Sequence, residues 1–426
     1  MSKILAYDIA MGIIYDKEKQ LVKTNRENGI IYLYQNGYWE HRNTVPFIEK
    51  EIQTRLRKET TKNLVNEILG HIKRETYFDP GELDANRRYL CLENCVFDLE
   101  TRTAIPHSPD IFATVKLPIF YDNTIPTTDI ERYITTIVKE LDIQKLQEHL
   151  GDTLSPHITS KKLLYAYGRR DSGKTTLMTI LQMLLGEDNY CSLTLKQLGD
   201  RFTNFGLYGR MANICSEVPY KLTLTNLEMI KAVTGGDTIT LEQKFCPAFE
   251  YRPILKHIFA SNGIPRIDLE FADSAFYRRF DFINFPYSFT PDETVVSRYT
   301  AKEMKSAWFN WLVEGYYRLM SNHWQFTNEL SVTQVEELFR TAVNEDPFLV
   351  WLKEKYIISL MGYVDKMEMF DDYKKYLIES DIGSEYYFNY EYFCKRIMTN
   401  LLYPVTSARR GSKEEQQHVF VGIEKK

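Results

Sequence analysis

Eight consecutive residues of this chain have types and spacing that could hold a phosphate group. They are Gly168, Arg169, Arg170, Asp171, Ser172, Gly173, Lys174 and Thr175. The run fits the pattern G-x-x-x-x-G-K-[ST] without deviation. Its two glycines let the backbone curl so that successive N–H groups point at phosphate oxygens, Lys174 neutralises the β and γ oxygens, and the Thr175 hydroxyl ligates Mg²⁺. We therefore expect these residues, with Thr176 beside them, to bind ATP and Mg²⁺.

The segments on either side of this run have the patterns that such a loop needs. Residues 163–167 form an apolar stretch typical of a buried strand. The apolar residues after the loop recur with helical spacing at Leu177, Ile180, Leu181, Leu184 and Leu185. A helix here presents its positive N-terminus to the phosphates. A chance Gly-Lys-Thr turn needs neither flank, so the strand–loop–helix order favours the phosphate-binding interpretation.

A carboxylate at the end of a neighbouring strand is the second requirement of ATP hydrolysis, because it orients the attacking water and helps to hold the metal. The run 211–215 predicts a strand, and Ser216 and Glu217 follow it. We interpret Glu217 as the general base. The alternative is a surface glutamate that ends a strand. Ser216 stands where many ATPases of this type carry a metal-binding aspartate, so metal ligation would rest on Thr175, Glu217 and water.

An amide follows the next predicted strand. Residues 256–261 form a second buried run, and Asn262 comes directly after it. An asparagine in that place can hydrogen-bond the attacking water or the γ-phosphate. The alternative is an asparagine that starts a turn before Gly263 and Pro265.

A hairpin is predicted between these two strands. Gly235, Gly236 and Asp237 are followed by alternating residues, which is typical of a turn that leads into a β-hairpin. Lys244 and Phe245 would lie near its tip, where a charge could contact a DNA phosphate and a ring could contact a base or sugar. A packed phenylalanine beside a solvated lysine explains the same two residues.

Two adjacent arginines, Arg278 and Arg279, precede the apolar run 280–285. Such a pair is costly to bury beside a core strand without anionic partners. An arginine that reaches the γ-phosphate of a neighbouring subunit would explain it. Ordinary ion pairs with Asp273 or Asp281 would also explain it.

The elements that must position these residues form an α/β layer. Between residues 162 and 285 apolar strands alternate with helices, which predicts a mostly parallel sheet. Upstream, residues 1–45 alternate apolar and polar residues, and Asn36-Gly37 predicts a hairpin. Helical spacing continues from Val45 to about Thr76, and a second β region covers residues 89–121.

Helical patterns flank the α/β layer. They cover residues 129–154, 301–321 and 331–356. The last part, from about Asp346, predicts a helix at 390–400, a basic turn at 409–413 and a strand at 418–423. Helices followed by a β-wing suggest a winged-helix module.

The bulk composition is that of a soluble globular protein. The chain has 426 residues, a net charge of −5 and 44% hydrophobic residues, so DNA contacts would come from local basic patches. Its six cysteines include no Cys-x-x-Cys pair, which excludes the usual zinc spacing and favours buried free thiols in a reducing, cytoplasmic compartment. No run approaches about 18 apolar residues, so we expect no membrane span.

Together, the motifs between residues 162 and 285 resemble, in type and order, those of the superfamily 3 helicases of viruses, phages and plasmids, within the AAA+ class. The similarity is closest to the phage and plasmid primase-helicase group related to poxvirus helicase-primases. Upstream, Tyr38-Trp39 and residues 92–99 and 106–109 resemble the domain that precedes the motor in that group. Cys95 stands where the group commonly has glycine, which is a departure.

This resemblance implies an α/β fold with an AAA+ P-loop ATPase core, a mixed α/β N-terminal domain and a helical, winged-helix-like C-terminal domain. The domains would be an N-terminal α+β domain at 1–128, a helical linker or collar at 129–160, the AAA+ core at 161–300, a helical extension at 301–345 and the winged-helix-like domain at 346–426.

The resemblance also implies a mechanism. A hexameric ring would bind ATP between subunits, with Lys174, Thr175, Glu217 and Asn262 acting in one subunit and Arg278 or Arg279 reaching in from the next. The hairpin would line the channel and pull single-stranded DNA, by family analogy in the 3′ to 5′ direction. No zinc-binding or polymerase pattern accompanies the motor. We therefore expect a motor fragment, or a separate helicase subunit, that works with a primase-polymerase or other replisome proteins.

Two other functions stay open. A DNA replication initiator or ring-shaped scaffold would bind ATP to assemble without productive unwinding, and the missing second acid at Ser216 fits it. A small-molecule P-loop kinase would explain residues 168–175, but it would not explain the arginine pair, the hairpin or the C-terminal pattern.

Overall fold

The computed structural model describes residues 3–16, 19–79, 81–82, 88–155, 157, 159–200, 203–218, 223–224, 226–242, 248–267, 269–344, 346–379, 388–399, 404–411 and 417–426. The chain divides into two compact units. The first comprises Met1–Val218, Asn226–Asn262 and Arg278–Leu330, and the second comprises Pro219–Thr225, Gly263–Tyr277 and Ser331–Lys426.

The first unit begins with helices and small sheets. In chain order the elements are α1 (Lys3–Ile14), β1 (Tyr15–Asp16), β2 (Lys19–Gln20), β3 (Val22–Asn25), β4 (Ile31–Gln35), β5 (Tyr38–Glu40), α2 (Thr44–Leu56), α3 (Lys62–Glu75), β6 (Tyr77–Phe78), β7 (Tyr89–Cys91), β8 (Val96–Asp98), β9 (Thr103–Ile105) and β10 (Val115–Lys116). The strand orders are β5-β4-β3-β6 and β10-β7-β8-β9. The helices α1, α2 and α3 share one apolar core with β3 and β4.

The sequence predicted parts of this region correctly. The hairpin at Asn36-Gly37 is confirmed, since β4 pairs antiparallel with β5 and both turn residues have positive φ. The predicted alternation from residue 1 was wrong at the start, where the chain forms α1. The helical run from Val45 to Thr76 is interrupted, because the chain turns at Arg57, whose φ is 52°. The Thr61 side chain then caps α3.

The elements that follow build the α/β layer. They are α4 (Thr128–Ile137), α5 (Glu140–Asp152), β11 (Leu163–Gly168), α6 (Lys174–Leu185), β12 (Tyr190–Cys191), β13 (Ala212–Cys215), β14 (Thr223–Leu224), α7 (Leu227–Gly235), β15 (Ile239–Leu241), β16 (Phe249–Tyr251), β17 (Lys256–Ser261), β18 (Arg266–Ile267), α8 (Ser274–Tyr277), β19 (Phe280–Phe285), α9 (Thr294–Tyr299) and α10 (Lys302–Ser321). Of these, β14, β18 and α8 belong to the second unit.

The predicted parallel sheet is confirmed. Its strand order is β12-β13-β17-β11-β19, and every neighbouring pair is parallel. The strand β11 is buried over its first four residues and lies between β17 and β19. All carboxyl ends of these strands therefore face one edge of the sheet, which is where ligands bind in open α/β sheets.

Two helices of this unit cross at glycines. A Cβ atom on Gly151 of α5 would lie 2.6 Å from the backbone nitrogen of Tyr316 in α10, and a Cβ atom on Gly315 of α10 would overlap the carbonyl oxygen of Gln147 in α5. The two backbones touch here, so only glycine fits at both positions.

The second unit contains α11 (Val332–Asn344), α12 (Pro347–Lys355), β20 (Tyr356–Asp365), α13 (Lys366–Glu379), α14 (Tyr390–Met398), β21 (Thr406–Arg410) and β22 (Gln417–Lys425). The antiparallel strand order is β20-β22-β21. The predicted helices and final strand are confirmed, although the run 331–356 breaks before Pro347. The strand β20 was not predicted. The predicted basic turn at 409–413 was wrong at its start, since Arg409 and Arg410 end β21, and residues 412 and 413 lie outside the described residues.

The cysteines that the structure describes are free thiols, as predicted. Cys91, Cys95, Cys215 and Cys394 are buried and Cys191 is half-buried. Burial raises the pKa of Cys91 to about 12. Among the described residues, no helix is long and apolar enough to cross a membrane.

We predict that Gly315→Ala lowers the free energy of unfolding by about 1–3 kcal/mol, because α5 and α10 must separate to admit the methyl group. Gly70→Ala in α3 is the matched control. The atoms nearest to its Cβ atom would belong to the flexible end of Arg74, at 3.1 Å, so the gain in helix propensity should raise stability by about 0.5–1 kcal/mol. Urea unfolding of both variants measures the difference, and equal effects would contradict the tight crossing.

Candidate nucleotide and metal site at the carboxyl edge of the sheet

The 168–175 loop connects β11 to α6 at the carboxyl edge of the sheet. Both glycines are required there by geometry. A Cβ atom on Gly168 would overlap the carbonyl oxygen of Phe285 on β19. Gly173 has φ 85°, and its Cβ atom would lie 2.9 Å from the Ile137 side chain. The loop is therefore held against β19 on one side and the end of α4 on the other.

The Lys174 ammonium is enclosed by its own loop. It donates to the carbonyl oxygens of Gly168 at 2.8 Å and Arg169 at 2.7 Å, and to the Ser172 hydroxyl at 2.9 Å. Burial lowers the pKa of Lys174 to about 8, and the nearby Asp171 carboxylate partly opposes this shift. A cation held by neutral oxygens in a buried position is poised to exchange them for an anion.

The other loop residues surround this lysine. Arg169, Arg170 and Asp171 are exposed, Thr175 is exposed, and Thr176 is half-buried at the first turn of α6. The first backbone N–H groups of a helix have no partner within the helix, so the start of α6 offers donors together with the positive end of its dipole.

Glu217 lies two residues beyond β13 at the same edge. The chain here is fixed to β17, since the Val218 N–H donates to the Ala260 carbonyl at 2.9 Å and the Ser261 hydroxyl donates to the Val218 carbonyl at 2.7 Å. Glu217 is exposed and the preceding Ser216 is half-buried. The carboxylate is thus free to face a ligand at this edge.

Asn262 directly follows β17, the strand that separates β13 from β11. Ser261 pairs with Tyr167 of β11, so Asn262 is level with the start of the 168–175 loop. Neighbouring strands lie about 4.8 Å apart. The fold therefore brings Asn262, Glu217 and the loop to one edge of the sheet, and Asn262 is exposed there.

Arg278 and Arg279 lie at the opposite edge of the sheet. The Leu163 N–H, at the start of β11, donates to the Arg279 carbonyl at 2.7 Å. With about 3.3 Å per residue, the length of β11 separates this position from the loop by roughly 20 Å. Within one chain the arginine pair therefore lies away from the candidate nucleotide site. Of the two acids considered as partners for the pair, Asp281 bonds His149 at 3.0 Å.

The predicted hairpin between β13 and β17 is confirmed in its strands. β15 pairs antiparallel with β16, with Ile239 opposite Tyr251 and Leu241 opposite Phe249. Lys244 and Phe245 lie outside the described residues.

The sequence did not identify one contact of the loop. The Phe289 N–H donates to the Asp171 carbonyl at 2.8 Å, and the Ser288 hydroxyl donates to the Arg170 carbonyl at 3.4 Å. These partners are more than a hundred positions apart in the chain, so no local pattern links them. The only signal was two aromatic residues between the prolines at 286 and 291.

Family comparisons match two parts of this chain. A family model described as D5 N terminal like matches residues 2–139, and one described as a family of unknown function (DUF5906) matches residues 166–279. The second match begins within β11, at residue 166, and ends at Arg279. It therefore includes every candidate site residue of the described chain. The match to 2–139 lies within the first unit. The match to 166–279 includes β12, β13, β17 and the end of β11, and also the parts of the second unit between residues 219 and 277.

Among curated proteins, the chain is similar to one of the Sputnik virophage named "Putative helicase V13". The two are 21% identical over 350 residues, which covers 75% of this chain and 44% of that protein. The chain therefore spans less than half of that relative's length.

Among solved structures, the chain is similar to the apo A form of the C-terminal region of NrS-1, with a TM-score of 0.49, 10% identity and 99% of each chain covered. A second apo A-form structure of that region has a TM-score of 0.46 and 13% identity, with 99% of this chain and 100% of the other covered.

We predict that Lys174 makes anion binding pH-dependent. Its pKa of about 8 in the free loop should rise beside bound phosphates, so binding takes up a proton above pH 8 and affinity falls as the pH rises further. Calorimetry with inorganic tripolyphosphate between pH 7 and 10 measures this. Lys174→Arg is the control, because its side chain stays charged over this pH range. Its profile shows how far the titration of tripolyphosphate itself changes the affinity. The same pH profile in both proteins would contradict the assignment.

Proposed function

We propose that this chain is the ATP-hydrolysing motor of a replicative DNA helicase of a phage, virus or plasmid, of the AAA+ superfamily 3 type. The main support is that the 168–175 loop after β11, Glu217 after β13 and Asn262 after β17 lie at the carboxyl edge of one parallel sheet. In that sheet β17 lies between β13 and β11. The match to a D5 N terminal like family and the likeness to a virophage protein named as a helicase support it.

In this proposal the loop holds the phosphates of ATP. Lys174 exchanges its loop oxygens for those of the β- and γ-phosphates, and the N-terminus of α6 faces the same groups. Glu217 accepts the proton of the attacking water, and Asn262 orients that water or the γ-phosphate. These three side chains act within one subunit.

The residues present fit a magnesium ion. Thr175 and Glu217 would offer one hydroxyl and one carboxylate, both exposed. Mg²⁺ is commonly held by one or two protein oxygens, with phosphates and water completing its shell. When bound, the ion would neutralise charge on the β- and γ-phosphates. Among the described residues, no cluster of three His, Cys, Asp or Glu side chains could hold a metal without such help.

The arginine pair supports an assembly. Since Arg278 and Arg279 lie at the amino edge of the sheet, they are remote from their own loop, and Arg278 is exposed. A ring in which this edge meets the carboxyl edge of the next subunit, hexameric by analogy with the resembled helicases, would bring them to its γ-phosphate.

DNA contact is proposed for two regions. The β15–β16 hairpin would present Lys244 and Phe245 to single-stranded DNA. In the second unit, the order α12-β20-α13-α14-β21-β22 is that of a winged helix, and Arg409 and Arg410 on β21 are exposed. The proposed division keeps the motor at 161–300 and the winged-helix-like domain at 346–426.

A second candidate is an ATP-binding replication initiator or scaffold ring. It is favoured by Ser216, which supplies no carboxylate where a second metal-binding acid would stand. A motor with one acid could still bind ATP and assemble while hydrolysing slowly.

We predict that the purified chain hydrolyses ATP and that single-stranded DNA stimulates this several-fold. Lys174→Ala should abolish nucleotide binding, whereas Glu217→Gln should keep binding and lower kcat by about 100-fold or more, because it removes only the base. Ser216→Ala, next to Glu217, is the matched control. Hydrolysis that survives Glu217→Gln would exclude the assigned base. A ring that binds ATP and DNA with little hydrolysis would favour the initiator.

We also predict complementation between two inactive variants. Lys174→Ala subunits keep their arginines, and Arg278→Ala/Arg279→Ala subunits keep an intact loop. Some interfaces in mixed rings therefore combine the intact loop of one subunit with the arginines of its neighbour. ATPase activity should reappear on mixing at equal concentrations, measured after subunit exchange. A double-arginine variant that is fully active alone, or mixtures that stay inactive although rings form, would contradict action between subunits.

A further inference from the structure

The segment after β19 runs along the 168–175 loop. Residues 286–291 follow Phe285 at the carboxyl edge of the sheet and contain neither helix nor strand. Two hydrogen bonds tie the segment to the loop: Phe289 N–H to the Asp171 carbonyl at 2.8 Å, and Ser288 hydroxyl to the Arg170 carbonyl at 3.4 Å. The segment is therefore fixed beside the loop through the backbone of residues 170 and 171.

Two aromatic rings of this segment are exposed. Tyr287 keeps 45% and Phe289 keeps 40% of its surface accessible, whereas Phe285, at the end of the strand, is fully buried. Most large rings in this unit lie in its core. Two exposed rings within two residues, beside a loop that binds phosphates, form an apolar surface that water covers only at a cost.

The placement of the rings does not depend on their own packing. The hydrogen bond at Phe289 uses its main-chain N–H, so the ring is not needed for the contact with Asp171. The prolines at 286 and 291 fix φ near −65° at their own positions and restrict Phe285 and Thr290, the residues directly before them.

We propose that Tyr287 and Phe289 form the surface on which the base of the bound nucleoside triphosphate stacks. This rests on the proposed function, since it places the phosphates at the 168–175 loop. A nucleoside extends from its phosphates by about the length of a sugar and a base, and the bonded residues 170 and 171 put the rings within that reach. Aromatic rings bind the face of any base.

Charged and uncharged groups lie side by side here, as the phosphate and base parts of a nucleotide require. Arg169 and Arg170 are exposed on the same loop and suit the phosphates and the sugar hydroxyls. The rings themselves carry no charge, so they add affinity for the uncharged part of the nucleotide alone. An inorganic phosphate chain would bind without using them.

The experiment compares ATP with inorganic tripolyphosphate on the full chain. Tyr287→Ala/Phe289→Ala should weaken ATP binding by about tenfold or more and leave tripolyphosphate binding within about twofold of the unmodified chain. Tyr287→Phe/Phe289→Tyr should restore ATP affinity, because it keeps both rings. Phe47→Ala, which removes a ring that is 48% exposed on α2, should change neither affinity.

The outcomes separate this inference from the proposed function. If ATP affinity is unchanged in the double alanine variant while Lys174→Ala abolishes it, the stacking surface is wrong and the nucleotide site stands. An equal loss for both ligands overturns the inference, because it shows damage to the loop. A changed assembly state with normal ATP affinity also overturns it and assigns the rings to a subunit contact. If the unmodified chain binds neither ligand, both proposals fail.

Discussion

The common direction of the strands in the parallel sheet is the constraint on which the candidate site depends. β11 has no exposed face in its first four residues and pairs on both sides, with β17 and with β19. A strand in that position cannot slip in register without moving its buried side chains out of the core. The loop after it, the acid after β13 and the amide after β17 are therefore fixed at one edge, although they are far apart in the sequence.

Charged residues at the other edge of the sheet have a structural role. Asp281 is fully buried, bonds His149 at 3.0 Å and lies 3.5 Å from the Lys145 ammonium. Burial alone would raise the pKa of Asp281, but the hydrogen bond and charge of His149 and the charge of Lys145 hold it below its usual value. Buried charges persist when they are paired. These charged groups are buried and paired, whereas Glu217 and Asn262 at the carboxyl edge are exposed.

The sequence predicted the elements whose pattern is periodic. The strand and helix around the 168–175 loop, the parallel layer and the hairpin at Asn36-Gly37 follow from spacing and turn chemistry. α1 was missed because Lys3–Ile14 is apolar on nearly all sides, so no helical period is visible. β20 was missed because its register shifts between Ile358 and Tyr363, which removes the alternation of a strand. The link between Phe289 and Asp171 is tertiary, and no local pattern encodes it.

The bonds of Lys174 bear on the proposed binding of a phosphate chain at this loop. The ammonium already has three oxygen partners within 2.9 Å, and leaving any of its donors without a partner would be costly in a buried position. A carboxylate brings only two oxygens, both on one carbon. A phosphate chain brings several anionic oxygens spread over neighbouring groups, so it can replace the loop carbonyls with stronger charge-assisted bonds and occupy the helix N–H groups at the same time. A ligand with several anionic oxygens therefore suits the present bonding of Lys174 better than one with few.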